Sequence, residues 1–338
     1  MTAGLSSVER FTSSDGRVIY GMPVEAFPRF IANVYIVRDG DRTVLIDCGS
    51  PMAQSNESLV AGLAAIEDRF GERITLADVD LILITHGHMD HFGGLPFVRA
   101  QTDAPVGIHI LDRRILSHYE ERVIVAAKQL AVFLERAGIS VEAIRGLMQM
   151  YRMQKGLYHS TPVDFTLEEG TAPIDGMEVI HVPGHCPGQV CLRLGDVLLA
   201  ADHVLSRITP HQAPESITLN MGLGHYLESL AKVAKLDGIR LALGGHEDPI
   251  EDLPKRVGQI RSAHQRRLER VLELCTEPSS VVEVSKGLFG ATHGYNVLLA
   301  IEETGAHVEY LYQNGDLVAG NVDELRDQEE PVIEYVRA

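Results

Sequence analysis

The segment that most constrains how this chain folds is LILITHGHMDHFGGLP, residues 81–96. Its apolar beginning is typical of a strand that is buried on both faces. Three histidines and an aspartate follow within six positions, and two glycines come directly after them. Because buried polar side chains are costly unless they have partners, we expect this cluster to lie at the end of the strand around bound metal.

The spacing of the four polar residues indicates two groups of metal ligands. His86 and His88 are two positions apart, so in an extended segment their side chains project to the same side and can converge on one ion. Asp90 and His91 follow one step later and can point to a second ion nearby. Imidazoles and carboxylates are the usual nitrogen and oxygen ligands of divalent transition metals.

Strand and helix patterns alternate on both sides of this motif. FIANVYIVRDGDRTVLIDCGSP predicts two strands joined by a turn, and the second strand ends at Asp47. NESLVAGLAAIEDRFG has helical spacing and a glycine stop. Strand patterns return in VDFTLEEGTAPIDGMEVIHVPGH and VCLRLGDVLLAADHVL. The alternation predicts an α/β or layered α+β core.

Residues 112–157 interrupt this alternation with a helical pattern rich in Leu, Ala, Val and Met. We expect two or three amphipathic helices inserted between core strands. One interpretation is additional packing surface. The other is a lid or pocket wall for an apolar substrate, in which Met148, Met150 and Met153 would form an adaptable surface.

Charge and cysteine usage exclude several classes of protein. Asp plus Glu number 47 against 30 Lys plus Arg, a formal net charge of −17, which argues against nucleic acid as the partner. The apolar runs are too short and too interrupted for a transmembrane helix. The four cysteines form no CxxC pair, so we expect buried thiols in a cytoplasmic protein.

The motif THGHMDHFGG resembles the signature of the metallo-β-lactamase fold superfamily, in which it lies on a loop after a core strand of an αββα sandwich. The family pattern continues with a His in a Pro-Gly-His turn, an Asp at the end of a later strand and a Gly-His. HVPGHCPGQ supplies His185, VLLAADHVL supplies Asp202 and LALGGHEDP supplies His246. The resemblance covers residues from about 20 to 250 and implies an α+β, four-layer αββα fold.

The resemblance also implies how these side chains share two divalent metal ions. His86, His88 and His185 would hold the first ion, and Asp90, His91 and His246 would hold the second. Asp202 would bridge the two ions, with water or hydroxide between them, and Asp90 and Asp202 would act in catalysis. The expected metal is zinc, with iron or manganese as alternatives.

The resemblance gives other residues around this set supporting roles. Asp47 matches a buried aspartate that orients the motif loop, and His203 is a second candidate for such a role. Relatives often have glycine where this chain has Ala201. Cys186 directly follows a ligand, and we expect it to contribute packing alone.

The C-terminal part resembles one branch of the superfamily. DHVLSRITPHQAPES, residues 202–216, is similar to a segment found in lactamase-β-2-like and hydroxyacylglutathione hydrolase-like proteins of that branch, which carry a C-terminal winged-helix-like domain. We therefore expect a catalytic domain over 1–253 and a winged-helix-like domain over 254–338, beginning with a long helix at 257–275. The acidic charge favours a packing role for the latter over DNA binding.

Three reactions stay open for such a site. The first is hydrolysis, by a metal-bridging hydroxide, of a thioester or ester of a small acyl or aromatic acid linked to glutathione or CoA. The second is a lactonase or β-lactamase-like amide hydrolase, and the third is a metal-dependent nuclease or phosphodiesterase. We expect a small-molecule substrate, with no nucleic acid or membrane as partner, and leave a homodimer open.

Overall fold

A computed structural model describes residues 7–328 and 331–338 of the chain, without the side chains of residues 154 and 155. The first sheet contains seven strands in sequential order, antiparallel from β1 to β4 and parallel from β4 to β7. These strands are β1 (Glu9–Thr12), β2 (Val18–Phe27), β3 (Phe30–Asp39), β4 (Arg42–Ile46), β5 (Leu81–Leu83), β6 (Val106–His109) and β7 (Phe165–Leu167). The hairpin predicted from FIANVYIVRDGDRTVLIDCGSP is the β3–β4 pair.

A second, four-stranded sheet has the order β11-β10-β9-β8, with only the β10–β11 pair parallel. Its strands are β8 (Met177–His181), β9 (Val190–Leu194), β10 (Val197–Ala201) and β11 (Leu241–Gly244). Alternate residues of a strand face opposite sides of a sheet. Leu199 accordingly packs between the two sheets, whereas Leu198 packs against the helices outside the second sheet.

Helices cover the outer face of each sheet. The helices that follow strands of the first sheet are α1 (Ala53–Phe70), α2 (Met89–Phe92) and α3 (Leu95–Arg99). The second sheet is covered by α7 (Leu223–Val233) and α8 (Leu253–Leu274). Helix, sheet, sheet and helix therefore form four layers, and the predicted αββα sandwich is confirmed.

The inserted segment contains three helices, in agreement with the sequence pattern: α4 (Arg113–Ser117), α5 (Tyr119–Arg136) and α6 (Val141–Lys155). Leu130 and Leu134 of α5 pack into the same hydrophobic cluster as the C-terminal helices. The three methionines of α6 do not share one environment: Met148 is buried in this cluster, Met150 is partly buried and Met153 is exposed. The insert therefore provides packing surface, as one of the two interpretations expects.

The C-terminal part begins with α8, which starts at Leu253 and not near residue 257 as the pattern suggested. Asp252 caps the helix by accepting a hydrogen bond from the Lys255 amide over 3.0 Å, and a proline stands in its first turn. The elements that follow are β12 (Ser279–Ser280), α9 (Val281–Phe289), α10 (Asn296–Gln313), β13 (Leu317–Ala319), α11 (Val322–Asp327) and β14 (Glu334–Arg337). The three strands form a small sheet in the order β12-β14-β13.

One hydrophobic cluster joins the second sheet to the C-terminal helices. Ala200 of β10, Val257 of α8 and Ile301 of α10 are all buried within it. No helix among the described residues combines the length and apolar character needed to cross a bilayer.

Candidate metal centre

The sequence-predicted ligands lie at the carboxyl ends of strands from both sheets. His86 follows β5, and His185 follows β8. Asp202 comes directly after β10, and His246 lies two residues after β11. The carboxyl ends of these strands lie at one edge of the sandwich. The predicted ligands, which are far apart in the chain, therefore meet at that edge.

The first group of side chains contains three histidines. His86, His88 and His185 offer nitrogen atoms that all lie within 4.8 Å of one another. The His88 ring lies 4.9 Å from the His86 ring and 4.4 Å from the His185 ring, between centroids. The Cys186 sulfur belongs to the same group, although the sequence suggested only packing for this thiol.

The second group contains a carboxylate and two histidines. Asp90 Oδ2 lies 3.6 Å from Nε2 of His91 and 3.4 Å from Nε2 of His246. These three residues also meet within 4.8 Å of one another. The structure brings together the residues that the HxHxDH spacing placed in each group, and His86 also meets His91 and Asp202 within 4.8 Å.

Asp202 lies between the two groups. Its Oδ2 atom is 3.6 Å from Nε2 of His185 and 3.2 Å from Nε2 of His246. Its Oδ1 atom is 3.5 Å from Nε2 of His91. The carboxylate therefore adjoins members of both groups, as a bridging ligand must.

Neighbouring groups orient the histidine rings of the motif. Nδ1 of His91 lies 2.8 Å from Oδ2 of Asp47, and Nδ1 of His86 lies 3.0 Å from the hydroxyl of Thr85. Asp47 also accepts hydrogen bonds from the amide and the hydroxyl of Thr85, each over 2.8 Å. Such partners fix the ring tautomer and direct the other nitrogen toward a metal.

Backbone carbonyls orient two of the downstream histidines. Nδ1 of His185 donates to the carbonyl of His211 over 2.7 Å, and Nδ1 of His246 donates to the carbonyl of Ile31 over 2.6 Å. In the neutral form of each ring, a donating Nδ1 leaves Nε2 with a lone pair that faces the cluster. Neutral imidazole nitrogen is the form that binds metal.

Unpaired atoms in this cluster fit a bound cation. Nε2 of His86, His91 and His185 and Oδ1 of Asp202 are buried and form no hydrogen bond with another described residue. Leaving several such atoms buried without partners is costly. Divalent ions that accept their lone pairs would satisfy these atoms, so the donor set fits metal.

The electrostatics of the cluster agree with this assignment. Burial lowers the pKa of His86 and of His185, which favours their neutral forms. Burial alone would raise the pKa of Asp202, but the neighbouring His246 and His91 lower it well below its usual range. Burial alone would likewise lower the pKa of His91, yet the carboxylates of Asp202, Asp90 and Asp47 raise it. The carboxylates thus favour positive charge where a metal ion would lie.

Two side chains that support the metal centre are not predicted from the sequence. The buried Asp112 carboxylate accepts hydrogen bonds from the amides of Gly87 (2.8 Å) and Gly188 (2.9 Å), so it joins the motif loop to the loop that carries His185. The buried Gln189 amide, with its oxygen turned toward β10, accepts from the backbone of Asp202 over 3.0 Å. Neither residue belongs to a recognisable motif, and only tertiary contacts reveal them.

The two residues that flank Asp202, Ala201 and His203, have different surroundings. Ala201 has a φ of 46°, in the left-handed region that glycine adopts without strain, which explains why glycine suits this position. His203 is buried and packs its ring against Tyr226, whose hydroxyl donates to the His203 carbonyl over 2.9 Å. The His203 side chain thus packs against the helix α7.

Fold and site together define a metal-dependent hydrolase. The family model described as Metallo-beta-lactamase superfamily matches residues 27–274, and the chain belongs to this superfamily. The superfamily binds divalent metal, in keeping with the His and Asp clusters found here. The comparison confirms the family predicted from the motif.

Known proteins similar to this chain include hydrolases. The probable metallo-hydrolase YqjP of Bacillus subtilis (strain 168) is 24% identical over 290 residues, which cover 82% of this chain and 86% of that protein. The atrochrysone carboxyl ACP thioesterase of Aspergillus fumigatus is 27% identical over 245 residues, 71% of this chain and 58% of that enzyme. The solved structure of a metallo-beta-lactamase family protein from Thermus thermophilus is 28% identical, with a TM-score of 0.77 over 95% of this chain and 98% of its own.

Proposed function

We propose that this protein is a binuclear metal-dependent hydrolase that acts on a thioester or ester of a small acyl or aromatic acid. The observation that carries this proposal is the position of Asp202, within 3.9 Å of histidine nitrogens in both groups of ligands. A structural metal site needs one closed set of four ligands. Two open sets that share a carboxylate suit catalysis on a small molecule.

We assign the proposed ligands to two ions. His86, His88 and His185 hold the first ion and Asp90, His91 and His246 hold the second, with Asp202 contributing to both. The nitrogen and oxygen donors suit zinc, iron or manganese. Because imidazole nitrogen and carboxylate oxygen are usual zinc ligands in proteins, we propose zinc.

The chemistry follows from the roles of these side chains. When bound, two divalent ions supply an acidified water molecule and positive charge that polarises a substrate carbonyl. Asp90, held ionised by its histidine neighbours although burial opposes this, orients the attacking water and accepts its proton. Asp47 and the carbonyls of His211 and Ile31 keep three of the imidazoles in place during turnover.

An exposed aromatic side chain beside the cluster supports an acyl or aromatic substrate. The Phe30 ring is 44% exposed, and its centroid lies 4.7 Å from that of the ligand His246. Exposed apolar groups beside a polar centre are typical of a substrate site. The similarity to an atrochrysone carboxyl ACP thioesterase supports the same class of substrate.

Metal analysis followed by a panel of substrates tests this function. Purified protein should contain two zinc ions per chain and should hydrolyse short acyl and aryl thioesters or esters faster than a lactone, a β-lactam or a phosphodiester. His88→Ala and Asp90→Ala should each abolish turnover with folding retained, whereas His293→Ala, at an exposed position, should leave turnover unchanged. Cleavage of the phosphodiester alone would exclude the proposed reaction, and full activity in both site variants would exclude the mechanism.

A further inference from the structure

The peptide group between His211 and Gln212 connects the metal centre to the C-terminal helices. Its carbonyl accepts from Nδ1 of His185 over 2.7 Å, and its N–H, on Gln212, donates to Oε2 of Glu303 over 2.7 Å. One planar amide therefore has a proposed metal ligand on one side and a carboxylate of α10 on the other. Hydrogen bonds in such a chain polarise one another, so the carboxylate strengthens the carbonyl as an acceptor.

Glu303 is itself held firmly for this role. It is only 7% exposed, and Nη1 of Arg267 on α8 donates to its Oε1 over 2.8 Å. The same guanidinium donates through Nη2 to the hydroxyl of Thr209 over 3.0 Å, so α8 also holds the segment before His211. Burial alone would raise the pKa of Glu303, but the nearby His307, His211 and Arg267 lower it.

The neighbouring glutamates of α10 hold the same connecting segment at other points. Oε2 of Glu302 lies 3.2 Å from Nε2 of His211. Glu309 accepts from the amides of Glu215 (2.6 Å) and Ser216 (3.1 Å). Of these three carboxylates, only Glu303 contacts the peptide group that contacts His185 among the described residues.

We propose that Glu303 is a positioning residue for His185, acting through the 211–212 peptide group, so that α8 and α10 are part of the metal centre. This inference rests on the proposed function, because it takes His185 as a metal ligand. Carboxylate–histidine–metal arrangements are common in metalloproteins. Here one amide group stands between the carboxylate and the histidine. The C-terminal part thereby has a role that needs no nucleic-acid or protein partner.

Zinc affinity measured by competition with a chelator tests the proposal. Glu303→Gln retains the shape of the side chain but removes its charge, and it should raise the dissociation constant for zinc about ten- to a hundredfold. Glu309→Gln is the matched control, because it removes a charge from the same helix and segment but does not contact the 211–212 peptide. It should change zinc affinity less than about threefold, the context-dependent spread expected of an uninvolved site.

A double-mutant cycle with His185→Ala separates positioning from a general effect on folding. In the His185→Ala background, Glu303→Gln should cause no further loss of zinc affinity, because the ring it positions is gone. Equal losses in both backgrounds would overturn the proposal. If Glu303→Gln fails to fold, Arg267→Lys takes its place, since lysine has one nitrogen where arginine uses two to reach Glu303 and Thr209. It should weaken zinc binding in the wild-type background alone, and equal weakening in both would again overturn the proposal.

The same measurements distinguish this inference from the function on which it rests. Wild-type protein that binds no zinc would contradict the proposed metal centre. Wild-type protein that binds zinc with the same affinity as Glu303→Gln would contradict the positioning role alone.

Discussion

The carboxylate of Asp47 lies 2.8 Å from Nδ1 of His91 and also receives two hydrogen bonds from Thr85. One buried side chain thus orients a proposed ligand and holds the loop that precedes the motif. Asp47 has a φ of 63°, a left-handed conformation that Asp and Asn tolerate better than most residues. A residue at this position must therefore tolerate a positive φ and also supply a hydrogen-bond acceptor.

Replacing Asp47 with asparagine should weaken metal binding without unfolding the protein. Asparagine tolerates the same backbone conformation but presents only one oxygen to the three donors. We expect zinc affinity to fall about ten- to a hundredfold, as measured by chelator competition. Asp41→Asn, in the exposed turn between β3 and β4, is the control and should bind zinc as the wild type does. Equal affinity in both variants would show that Asp47 does not orient His91.

Gly245 should not tolerate even a methyl group, because it lies against the ligands. A Cβ atom there would be 2.2 Å from Oδ1 of Asp202 and 2.7 Å from Cε1 of His91. Gly245→Ala must therefore displace the Asp202 carboxylate, and we expect loss of bound metal and of turnover. Gly258→Ala is the control: nothing lies within 4 Å of its Cβ in α8, and alanine should stabilise that helix by up to about 1 kcal/mol. Metal content and thermal denaturation distinguish the two, and full metal content in Gly245→Ala would contradict the site geometry.

Asp112 should stabilise the fold by joining the two loops that carry the first group of ligands. Its carboxylate is the acceptor for the amides of Gly87 and Gly188. Asparagine can accept from one of them and leaves the other unsatisfied, which costs about 1–3 kcal/mol. We expect Asp112→Asn to lower the free energy of unfolding by this amount, as measured with urea, and Asp112→Ala to lower it further. A variant as stable as the wild type would show that the two loops do not depend on this carboxylate.

The stacked pair His109 and His181 should make the protein sensitive to acid. Their ring centroids lie 3.9 Å apart, and burial, with the charge of His181, lowers the pKa of His109 to about 4. The unfolded chain binds this proton near the ordinary value of about 6.5. Between these two values the unfolded state holds more protons, so stability is lost as the pH falls from about 6.5 toward 4.

Changing His109 to asparagine should reduce this acid sensitivity. Asparagine retains an acceptor for the Leu111 amide, which donates to His109 Nδ1 over 3.3 Å, but it does not titrate. As the pH falls below about 6.5, the free energy of unfolding should decrease less steeply in the variant than in the wild type. The two slopes should differ by up to about 1.4 kcal/mol per pH unit. Urea denaturation at several pH values measures the slopes, and parallel slopes would contradict the assignment.

A site residue can be predicted from the sequence when it lies with other ligands in one short segment. HxHxDH is one short loop, so spacing alone divides His86 and His88 from Asp90 and His91. The Asp112 carboxylate accepts from backbone amides of two loops, and the His211 carbonyl accepts from the His185 ring, and no spacing rule links either acceptor to the motif. Because every residue type has the same backbone carbonyl, and all but proline the same amide, the sequence does not show which backbone groups form hydrogen bonds with a distant side chain.

The fold shows the same contrast between local and distant information. Period-two and period-3.6 patterns predicted the strands and helices of the sandwich, and the family motif predicted their arrangement. The helix α8 begins before its apolar periodicity predicts, because Asp252 caps it and a proline stands in its first turn. The hydrophobic cluster that joins Ala200 of β10 to Ile301 of α10 depends on contacts about a hundred residues apart, which periodicity does not predict.

Anomalous diffraction from crystals of the purified protein tests the central claim most directly. Data collected on either side of the zinc absorption edge locate each metal ion and identify it. The proposed function predicts two zinc peaks, one bounded by His86, His88 and His185 and the other by Asp90, His91 and His246, with Asp202 between them. A single peak, or peaks outside this cluster, would contradict the binuclear centre.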